Sequence, residues 1–363
     1  MKISYVNLSL QWKKEKKFLL PLIKKKLKEG NYVGGKEIEI FEKNISKKCD
    51  TKYAVALNSG TDALILGLIL LGVKKGDEVI TPPNSFISST SSIVNVGARP
   101  VFVDVLPDQN INPELIEKSI TKKTKAIMPV HLTGRIAEMK EIMRLSIKYG
   151  IPVIEDAAQS IGSKYYQKKS GSFGDIGCFS AHPLKNLNAL GDSGFLTTNN
   201  INFYKKALAM RNHGLVERNK VKNFGFLSRM DVLQASILNY RIKNLNKIIK
   251  KRRQNAKFYL ENIDKKKFLL INEKKYQFNT YHTFVIQTKN RKKLINFLSK
   301  KGIATAIHYP IPIHLQPAAK YLGYKKNDFP ETEKQSKRIL TLPIHQNLLR
   351  NEIKKIVDSL NEF

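Results

Sequence analysis

At 363 residues the chain is long enough to bury a large core, and its hydrophobic fraction of 42% excludes a disordered protein. The formal net charge is +34, with 52 lysines and 12 arginines. Because the lysines are spread along the whole chain and no nucleic-acid motif occurs, the charge predicts solvated surfaces that attract small anions, and not a nucleic-acid-binding protein.

The N-terminal segment and the cysteines predict the compartment. Residues 1–17 have no continuous apolar stretch and no small-residue cleavage pattern, so we expect no signal peptide. No apolar run is long enough to span a membrane. Cys49 and Cys178 have no metal-ligand spacing, and a disulfide framework is not expected. These features predict a cytoplasmic protein without a membrane contact or a metal site.

Predicted strands and helices alternate over the first two thirds of the chain. Short apolar strands that are separated by helices indicate an α/β domain with a mostly parallel sheet. Helices are predicted over residues 37–48, 60–72, 85–97 and 135–149. Strands are predicted over residues 53–57, 76–83, 99–105, 125–134, 151–162, 175–181 and 193–199.

The pattern changes near residue 230. A long, basic, amphipathic helix is predicted over residues 231–263, and a final helix begins at about residue 350. Between them we expect a strand over 280–288, a helix over 291–303 and a proline-rich loop over 308–317. The sequence therefore predicts a large α/β domain, residues 1–235, and a smaller α+β domain, residues 236–363.

A first candidate site lies at a strand-to-helix turn, Ser59-Gly60-Thr61-Asp62. The backbone N–H groups at a helix N-terminus attract anions, and Gly60 allows close approach of a ligand. A simple helix N-cap is the alternative. The chain has no G-x-x-x-x-G-K-[ST] motif, and residues 171–177 do not have dinucleotide-binding spacing, so neither a P-loop nor a Rossmann fingerprint is indicated.

Two further candidates follow along the chain. Asp156 ends a predicted strand, where ligands of open α/β sheets bind, and Glu155 should face the opposite side. A helix N-cap is again the alternative for Asp156. Lys185 lies in a loop of small residues, unlike the lysine runs of the surface, and a lysine amine can attack a carbonyl. An anion site, a carboxylate and a lysine in this order are what pyridoxal phosphate requires.

With these residues, the chain resembles the DegT/DnrJ/EryC1/StrS family of pyridoxal-phosphate-dependent sugar aminotransferases over nearly its full length. The resemblance implies the aspartate-aminotransferase-like fold (fold type I). The matching blocks are "NYVGGKEIEIFE", "ALNSGTDALILGL", "GDEVITPPNSFISS", "GARPVFVDV", "AIMPVHLTG", "IPVIEDAAQSIGS", "GDIGCFSAHPLKNLNALGDSG", "LSRMDVLQASIL", "HYPIPIHLQP" and "LPIHQNL".

The resemblance implies a role for each matching residue. Lys185 is expected to bond covalently to the cofactor and to move protons, and Asp156 to pair with the pyridine nitrogen. His182 matches a position near the substrate, with packing as the alternative. The other expected cofactor contacts are Gln159 at the ring hydroxyl, Phe86 on the ring face, and Gly60, Thr61, Asp62 and Ser180 at the phosphate.

The chain departs from the family pattern at three positions. Leu227 stands where the family carries an asparagine that reaches a neighbouring subunit's cofactor phosphate, and a leucine side chain donates no hydrogen bond. Ser228 or Arg229 could replace that contact. Ser193 and Asn188 stand where glycines are common, which changes loop freedom more than chemistry.

The resemblance also implies the reaction. An amino acid, with glutamate expected, donates its amino group, the cofactor cycles through pyridoxamine phosphate, and a nucleotide-linked keto-deoxysugar accepts the group. Residues 211–231 resemble members that aminate C-3 of dTDP-linked 3-keto-6-deoxyhexoses, while amination at C-4 and a non-catalytic regulatory homologue are the alternatives. A homodimer is expected. The candidate substrate contacts, with loop packing as the alternative, are His308, Tyr309 and His314.

Overall fold

The computed structural model describes residues 2–363, and within them eleven α-helices and fifteen strands are present. The helices are α1 Leu8–Glu29, α2 Lys36–Cys49, α3 Gly60–Leu70, α4 Ile87–Asn95, α5 Pro113–Ile116, α6 Met139–Tyr149, α7 Ile201–Met210, α8 Val232–Asn262, α9 Arg291–Lys300, α10 Pro330–Arg338 and α11 Arg350–Glu362. The strands are β1 Tyr53–Leu57, β2 Glu78–Thr81, β3 Arg99–Phe102, β4 Thr124–Ile127, β5 Ile154–Asp156, β6 Lys164–Tyr165, β7 Lys168–Lys169, β8 Ile176–Ser180, β9 Gly194–Thr198, β10 Leu215–Glu217, β11 Lys220–Val221, β12 Leu269–Leu270, β13 Gln277–Phe278, β14 Phe284–Gln287 and β15 Ile339–Leu342.

The central sheet has the order β1-β9-β8-β5-β4-β2-β3. Hydrogen-bonded ladders join neighbouring strands in two groups, β1-β9-β8-β5 and β3-β2-β4. Parallel bridges from Ile127 to Val153 and from Val130 to Asp156 connect β4 with β5 and so unite the two groups. Six of its seven strands run in the same direction, and β9 alone runs in the opposite direction. The predicted mostly parallel sheet is confirmed, and the carboxyl ends of its strands therefore meet at one edge.

Helix α3 lies against this sheet and carries the first candidate site at its N-terminus. Its residues are apolar on every face because it packs between the sheet and α4. A Cβ atom at Gly67 would lie 2.6 Å from Ile154 Cδ1 and 3.3 Å from Cys178 Sγ, so the glycine lets the helix pack closely on the sheet without a shift of these side chains. The close packing fixes the N-terminus of α3 beside the ends of β5 and β8.

The C-terminal part forms its own apolar cluster around the antiparallel sheet β12-β14-β15, with α9 and α11. Ile3 joins this cluster and pairs with Ile303, so the N-terminal segment lies on the C-terminal part. Helix α8 contributes Leu245 to the apolar cluster of the N-terminal part and Tyr259 to the C-terminal one. The predicted boundary between residues 235 and 236 lies in the first turn of α8 and stays a prediction.

The structure differs from the sequence-based expectation in several elements. Helices α1 and α7 were not predicted, although Asn7 caps α1 and Gly30, at φ 69°, ends it. The strands expected over 125–134 and 151–162 are shorter, because continuous pairing ends at Ile127 and Asp156; beyond Ile127 only the isolated bridge at Val130 follows before the chain forms loops around the candidate site. Within residues 2–363, no helix is long and apolar enough to cross a membrane.

Candidate active site

A cavity of about 290 Å³ opens at the carboxyl ends of the sheet strands. Lys185, Asp156 and Ser180 line one side of it, and Arg252 and His308 line the side that the C-terminal part contributes. A larger cleft of about 970 Å³, beside the outer face of α8, contains none of the predicted site residues. The smaller cavity therefore brings the candidate chemistry together.

The N-terminus of α3 forms one end of the cavity. Ser59 caps the helix, and its Oγ accepts the Asp62 N–H at 3.0 Å. The N–H groups of Gly60 and Thr61 have no acceptor within the helix, as in any first turn, and remain for an anion. A Cβ atom at Gly60 would lie 2.7 Å from the Ser180 Cβ, so only glycine fits here. This end can hold a phosphate group.

Asp62 does not line the cavity, in contrast to the expected direct phosphate contact. Its N–H is bonded to Ser59, and its carboxylate accepts the Ser228 hydroxyl at 2.7 Å. Asp62 therefore fixes the first turn of α3, because both its backbone and its side chain are bonded to neighbouring protein groups. A negative charge in the first turn also stabilises the helix.

Asp156, 5% exposed, holds its carboxylate at the end of β5. Oδ2 accepts the Ser89 hydroxyl at 2.6 Å, and Oδ1 accepts the Ala158 N–H at 3.2 Å. These two bonds fix the rotamer, while each carboxylate oxygen keeps a further lone pair. The carboxylate can thus accept a hydrogen bond from a protonated ring nitrogen of a ligand in the cavity. Ser89 was missed by the sequence analysis, because nothing in its helical segment marks it as a partner of Asp156.

Glu155 faces the opposite side of β5, as expected from strand alternation. Its carboxylate accepts the N–H groups of Gly171, Phe173 and Gly174 at 2.7–2.8 Å, and lies 2.9 Å from His131 Nε2. The two adjacent carboxylates therefore have separate surroundings. Glu155 anchors the loop after β7, and Asp156 is free for the cavity.

Lys185 follows a tight turn in which its N–H donates to the His182 carbonyl at 2.8 Å. Burial of its ammonium group lowers the pKa of Lys185 to about 8, and the Asp156 carboxylate opposes this shift only in part. About one tenth of the Lys185 side chains are therefore neutral amines at pH 7, far more than for a lysine with its ordinary pKa of 10.5. A neutral amine in a cavity can act as a nucleophile and as a base.

Gln159 and Phe86 also lie at the cavity, and Thr61 completes its helical end. The Gln159 Oε1 accepts the Thr133 N–H at 2.8 Å, so the amide NH₂ is left as a donor at the cavity, where the Tyr309 hydroxyl is its protein neighbour. Phe86 is 54% exposed, and its ring centroid lies 5.8 Å from that of Tyr309. The Phe86 ring offers a flat apolar surface at the cavity.

The structure separates the four candidate substrate residues. His182, His308 and Tyr309 line the cavity, and His314 does not. The His314 ring is buried, with Nε2 3.2 Å from the Glu333 carboxylate and an edge contact to an aromatic ring. Loop packing, the alternative considered for this loop, thus describes His314, and its expected substrate contact is withdrawn.

His308 and His182 have different surroundings within the cavity. His308 Nδ1 lies 3.0 Å from the Thr341 hydroxyl, and burial together with the Lys185 charge lowers the pKa of His308 to about 4. His308 is therefore a neutral hydrogen-bonding group at physiological pH. His182 is exposed, and its Nδ1 accepts the Leu184 N–H at 3.3 Å, which leaves Nε2 for a ligand.

Several cavity residues were missed by the sequence analysis. They converge from segments that carry no local motif, or from patterns that indicate a solvated surface, as in the basic run around Arg252. His345 lies in the matching block "LPIHQNL", but that match did not indicate its position in the cavity. Among the missed residues are Tyr5, Val6, Arg252, His282 and His345.

The segment around Leu227, where the chain departs from the family pattern, lies outside this cavity. Leu227 is 59% exposed. Ser228 is bonded to Asp62, and Arg229 Nη1 donates to Asn212 at 3.3 Å. Neither polar neighbour of Leu227 lines this chain's own cavity.

A lysine with a lowered pKa, a carboxylate held across from it, a flat aromatic wall and a helix N-terminus fit pyridoxal phosphate, and together with the fold they define a fold-type-I, pyridoxal-phosphate-dependent aminotransferase. The model of the DegT/DnrJ/EryC1/StrS aminotransferase family matches residues 13–361. The chain belongs to this family, and the predicted family, fold type and cofactor, which cycles through pyridoxamine phosphate, are confirmed.

Three curated relatives span nearly the whole chain. A pleiotropic regulatory protein of Geobacillus stearothermophilus is 35% identical over 100% of this chain and 99% of its own. The dTDP-3-amino-3,6-dideoxy-alpha-D-galactopyranose transaminase of Aneurinibacillus thermoaerophilus is 36% identical, over 93% of each chain. The UDP-N-acetyl-3-dehydro-alpha-D-glucosamine 3-aminotransferase of Acidithiobacillus ferrooxidans is 37% identical, over 93% and 91%.

Two solved structures have the same fold. The crystal structure of S. venezuelae DesV has a TM-score of 0.96 at 32% identity and covers 99% of this chain and 98% of its own. The structure of NtdA from Bacillus subtilis, with bound cofactor PMP, has a TM-score of 0.89 at 33% identity, over 96% and 82%. The chain is a sugar aminotransferase that uses pyridoxal phosphate, and the exact sugar differs among its relatives.

Proposed function

We propose that this enzyme moves an amino group from an amino acid, with glutamate as the expected donor, to C-3 of a dTDP-linked 3-keto-6-deoxyhexose, a step in amino-sugar and surface-polysaccharide biosynthesis. The observation that carries the proposal is the pairing, in one cavity, of Lys185 at a lowered pKa with the buried Asp156 carboxylate. A protein that only binds a cofactor has no need of a partly neutral lysine beside it.

The chain's own residues divide the chemistry between them. When bound, pyridoxal phosphate supplies a ring that accepts the electron pair released at the donor's α-carbon. Lys185 Nζ, once free as an amine, takes the proton from that α-carbon and holds it for return. With the cofactor bound, the Asp156 carboxylate would hold a proton on the pyridine nitrogen, and the Gln159 amide would donate to the ring hydroxyl.

Carbon 3 is favoured over carbon 4 on two grounds. Residues 211–231 resemble the family members that aminate C-3. The relatives from Aneurinibacillus and Acidithiobacillus are also both named for the amino group at carbon 3, although one name specifies dTDP and the other UDP. The C-4 aminotransferase on a 4-keto-6-deoxyhexose is therefore the second candidate.

An acceptor assay separates these candidates. The protein, loaded with cofactor and glutamate, is incubated with a dTDP-3-keto-6-deoxyhexose and, separately, with a dTDP-4-keto-6-deoxyhexose, and the products are identified by mass spectrometry and NMR. The proposal expects an amino sugar from the 3-keto compound. A product from the 4-keto compound alone overturns the assignment of the carbon, and UDP-linked 3-keto-sugars test the nucleotide in the same assay.

The homodimer is part of the proposal. The segment around Leu227 exposes an apolar surface that a single chain leaves uncovered, with Phe224 97% exposed. Its other exposed apolar residues are Val216, Val221 and Phe226. Light scattering at micromolar concentration is expected to give twice the 41.4 kDa mass of one chain. A monomer at that concentration contradicts this part of the proposal.

A regulatory, non-catalytic protein is the candidate of another class. It is favoured by one observation, the 35% identity over the full chain to a relative named as a pleiotropic regulatory protein. The two classes differ in one measurable property, because a regulatory homologue need not exchange its cofactor's amino group with any amino acid. Lack of amino-group exchange with every common amino acid in a cofactor-loaded protein would favour this candidate.

A further inference from the structure

The larger cleft beside α8, here called the basic cleft, is separate from the active-site cavity. Its volume is about 970 Å³, and its walls come from the end of α2, the β6–β7 hairpin, α8 and residues 272–281. No residue lines both the basic cleft and the cavity. Two carboxylates, of Glu261 and Glu273, line the basic cleft. Its cationic residues are Lys48, Lys164, Lys169, Lys250, Arg253 and Lys257. The lining of the basic cleft therefore carries an excess of positive charge.

Two lysines of the basic cleft lie directly opposite each other. Lys164 and Lys169 are cross-strand partners in the β6–β7 hairpin, so their side chains lie on the same face of the hairpin. Like charges in this arrangement are destabilising. The Lys169 ammonium lies 2.8 Å from the Asp50 carboxylate, while the Lys164 ammonium donates to the Gln167 amide oxygen at 3.3 Å and meets no carboxylate within residues 2–363. The hairpin thus presents more positive charge to the cleft than the described chain neutralises.

Lys48, near the end of α2, adds a third ammonium group at the same place. The side chain is half-buried, and its Nζ donates to the amide oxygen of Asn246 on α8. Burial lowers the pKa of Lys48, the charges of Lys169 and Lys164 add to this shift, and the Asp50 carboxylate opposes it only in part. The three ammonium groups therefore repel one another, and a bound anion would remove this repulsion.

Helix α8 extends the positive charge along the cleft. Lys250, Arg253 and Lys257 are three and four residues apart and therefore lie on one face of the helix. Arg253 is paired with Glu273 and Lys257 with Glu261, whereas Lys250 forms no ion pair within residues 2–363. Lys250 and Lys257 are separated by two turns, which is about 10 Å along the helix axis. The positive charge thus extends over a greater length than one small ion can contact.

We propose that the basic cleft binds a small molecule with two or more linked phosphate groups. Lysine ammonium groups bind phosphate oxygens as point charges, without the planar match that an arginine provides for a carboxylate. Lysines from α2, the hairpin and α8 can each contact a phosphate of one ligand because linked phosphates extend along the cleft. The inference does not depend on the sugar that the enzyme aminates, because the cleft and the cavity share no lining residue.

The basic cleft fits such a small molecule better than a nucleic acid. Nucleic-acid-binding proteins present their cations along an exposed face, with free aromatic rings on which bases stack. Here the cations line a concave site, and the Arg253 guanidinium already covers the Phe278 ring, 4.0 Å from its centroid. The phosphate groups are therefore the part of the ligand that the cleft recognises.

Calorimetric titration of the enzyme loaded with pyridoxal phosphate, in about 0.15 M salt, tests the inference. The probes are inorganic tripolyphosphate and, for comparison, inorganic orthophosphate. The cleft variant combines Lys48→Gln, Lys164→Gln and Lys250→Gln. Because charge-assisted contacts are lost, we expect it to bind tripolyphosphate at least about 10-fold more weakly than the wild type. We also expect the wild type to bind orthophosphate at least about 10-fold more weakly than tripolyphosphate, since one phosphate makes fewer of these contacts.

The matched control removes the same net charge elsewhere on the surface. It combines Lys24→Gln, Lys25→Gln and Lys28→Gln, three exposed lysines of α1 that do not line the basic cleft. We expect this control to bind tripolyphosphate within about 2-fold of the wild type, because general attraction between distant charges is screened at this salt concentration.

The melting temperature and the response of the cofactor's absorbance to glutamate are measured on the same proteins. The cleft variant is expected to respond to glutamate as the wild type does, since its three lysines lie outside the cavity. If the cleft variant does not fold, Lys250→Glu alone replaces it, because Lys250 is exposed on α8. We expect Lys250→Glu to weaken tripolyphosphate binding by at least about 5-fold.

Titration with pyrophosphate, ADP and dTDP distinguishes the sources of the linked phosphates. Equal affinities for the three, all reduced in the cleft variant, would support recognition of the phosphates alone. A higher affinity for ADP or dTDP, again reduced in the cleft variant, would support a nucleotide as the ligand.

Four outcomes overturn the inference. The wild type does not bind tripolyphosphate, or the α1 control loses as much affinity as the cleft variant, which indicates general charge attraction. Orthophosphate binds as tightly as tripolyphosphate, which excludes a requirement for linked phosphates. A short single-stranded RNA binds more tightly than tripolyphosphate and depends on the same three lysines, which makes the cleft a nucleic-acid site.

Discussion

The two walls of the cavity differ in how their polar groups are bonded. On the wall formed by the sheet, the Asp156 and Gln159 side chains already have protein partners: the Ser89 hydroxyl donates to Asp156, and the Thr133 backbone N–H donates to Gln159. On the wall formed by the C-terminal part, buried nitrogens of Arg252, His282 and His345 have no partner within residues 2–363.

This difference corresponds to two kinds of ligand: a cofactor that is the same in all relatives, and substrates that vary among them. Buried polar groups are almost always hydrogen-bonded, so unpartnered ones at a cavity indicate a ligand that completes them. The sheet wall is preorganised for a cofactor whose shape never changes. The C-terminal wall keeps unpartnered nitrogens available for substrates, and it is there that relatives with different sugars are expected to differ.

Of the substitutions on the sheet wall, the replacement of Lys185 is expected to lower the activity most. Lys185→Ala removes the amine that moves the proton, so we expect the reaction with glutamate to slow by at least about 10³-fold. Reduction with borohydride followed by peptide mass spectrometry is expected to attach the cofactor to the Lys185 peptide in the wild type and to nothing in the variant. Covalent cofactor on another lysine of the wild type would contradict the assignment.

Asp156→Asn tests the carboxylate that lies across the cavity from Lys185. It removes a buried charge that pairs with the protonated ring nitrogen, and we expect a loss of about 10²- to 10³-fold in the rate of the glutamate half-reaction. Stopped-flow absorbance measures this rate. Glu155→Gln is the neighbouring control, since its carboxylate faces away from the cavity. An Asp156→Asn rate within about 3-fold of the wild type would remove Asp156 from the chemistry.

The pKa of Lys185 sets a pH dependence. Only the neutral amine bonds to the cofactor, and that pKa is lowered from 10.5 to about 8. The rate at which the cofactor-free protein takes up pyridoxal phosphate is expected to rise about tenfold per pH unit below pH 8 and to level off above it. Absorbance after rapid mixing measures the rate. A rise that continues to pH 10 would show an unperturbed lysine.

Ser89 has a smaller expected effect. Ser89→Ala removes one hydrogen bond from the Asp156 carboxylate, which is worth about 1 kcal/mol, so cofactor affinity and half-reaction rate are each expected to fall about 5-fold. Ser92→Ala is the matched control, because Ser92 is equally buried in the same helix but bonds only to a backbone carbonyl. Equal losses in both variants would indicate a packing effect and not positioning of Asp156.

His314 has the smallest expected effect on activity. His314→Gln changes a buried pair with Glu333 outside the cavity, so stability is expected to fall by about 1–2 kcal/mol while kcat and KM stay within about 2-fold. His308→Gln, in the same loop but at the cavity, is expected to raise KM for the sugar. Urea denaturation and steady-state kinetics measure the two quantities. A large change in KM for His314→Gln would restore it to the site.

The contrast between the walls also explains how much the sequence could predict. The sheet wall is built from local segments, such as Ser59–Asp62 and Asp156–Gln159, in which a strand end and a turn place the side chains. The residues of these segments could therefore be found in the sequence. Asp62 differs, because a first-turn residue can face either the ligand or its own helix, and Ser89 was missed, because nothing in its helical segment marks it as a partner of Asp156.

The C-terminal wall could not be found in this way. Tyr5 reaches the cavity because Ile3 pairs with Ile303, and this contact has no local pattern. Arg252 lies in a basic run that is typical of a solvated helix face, and His308 and His314 occupy one proline-rich loop whose spacing does not distinguish them. These positions depend on tertiary packing between distant segments.

The central claim, that the cavity is an aminotransferase site, is tested most directly by the visible absorbance of the wild-type protein loaded with pyridoxal phosphate. We expect a band that L-glutamate bleaches, and that returns when the glutamate is removed and 2-oxoglutarate is added. A loaded protein whose band does not change with glutamate or with any other amino acid would contradict the account.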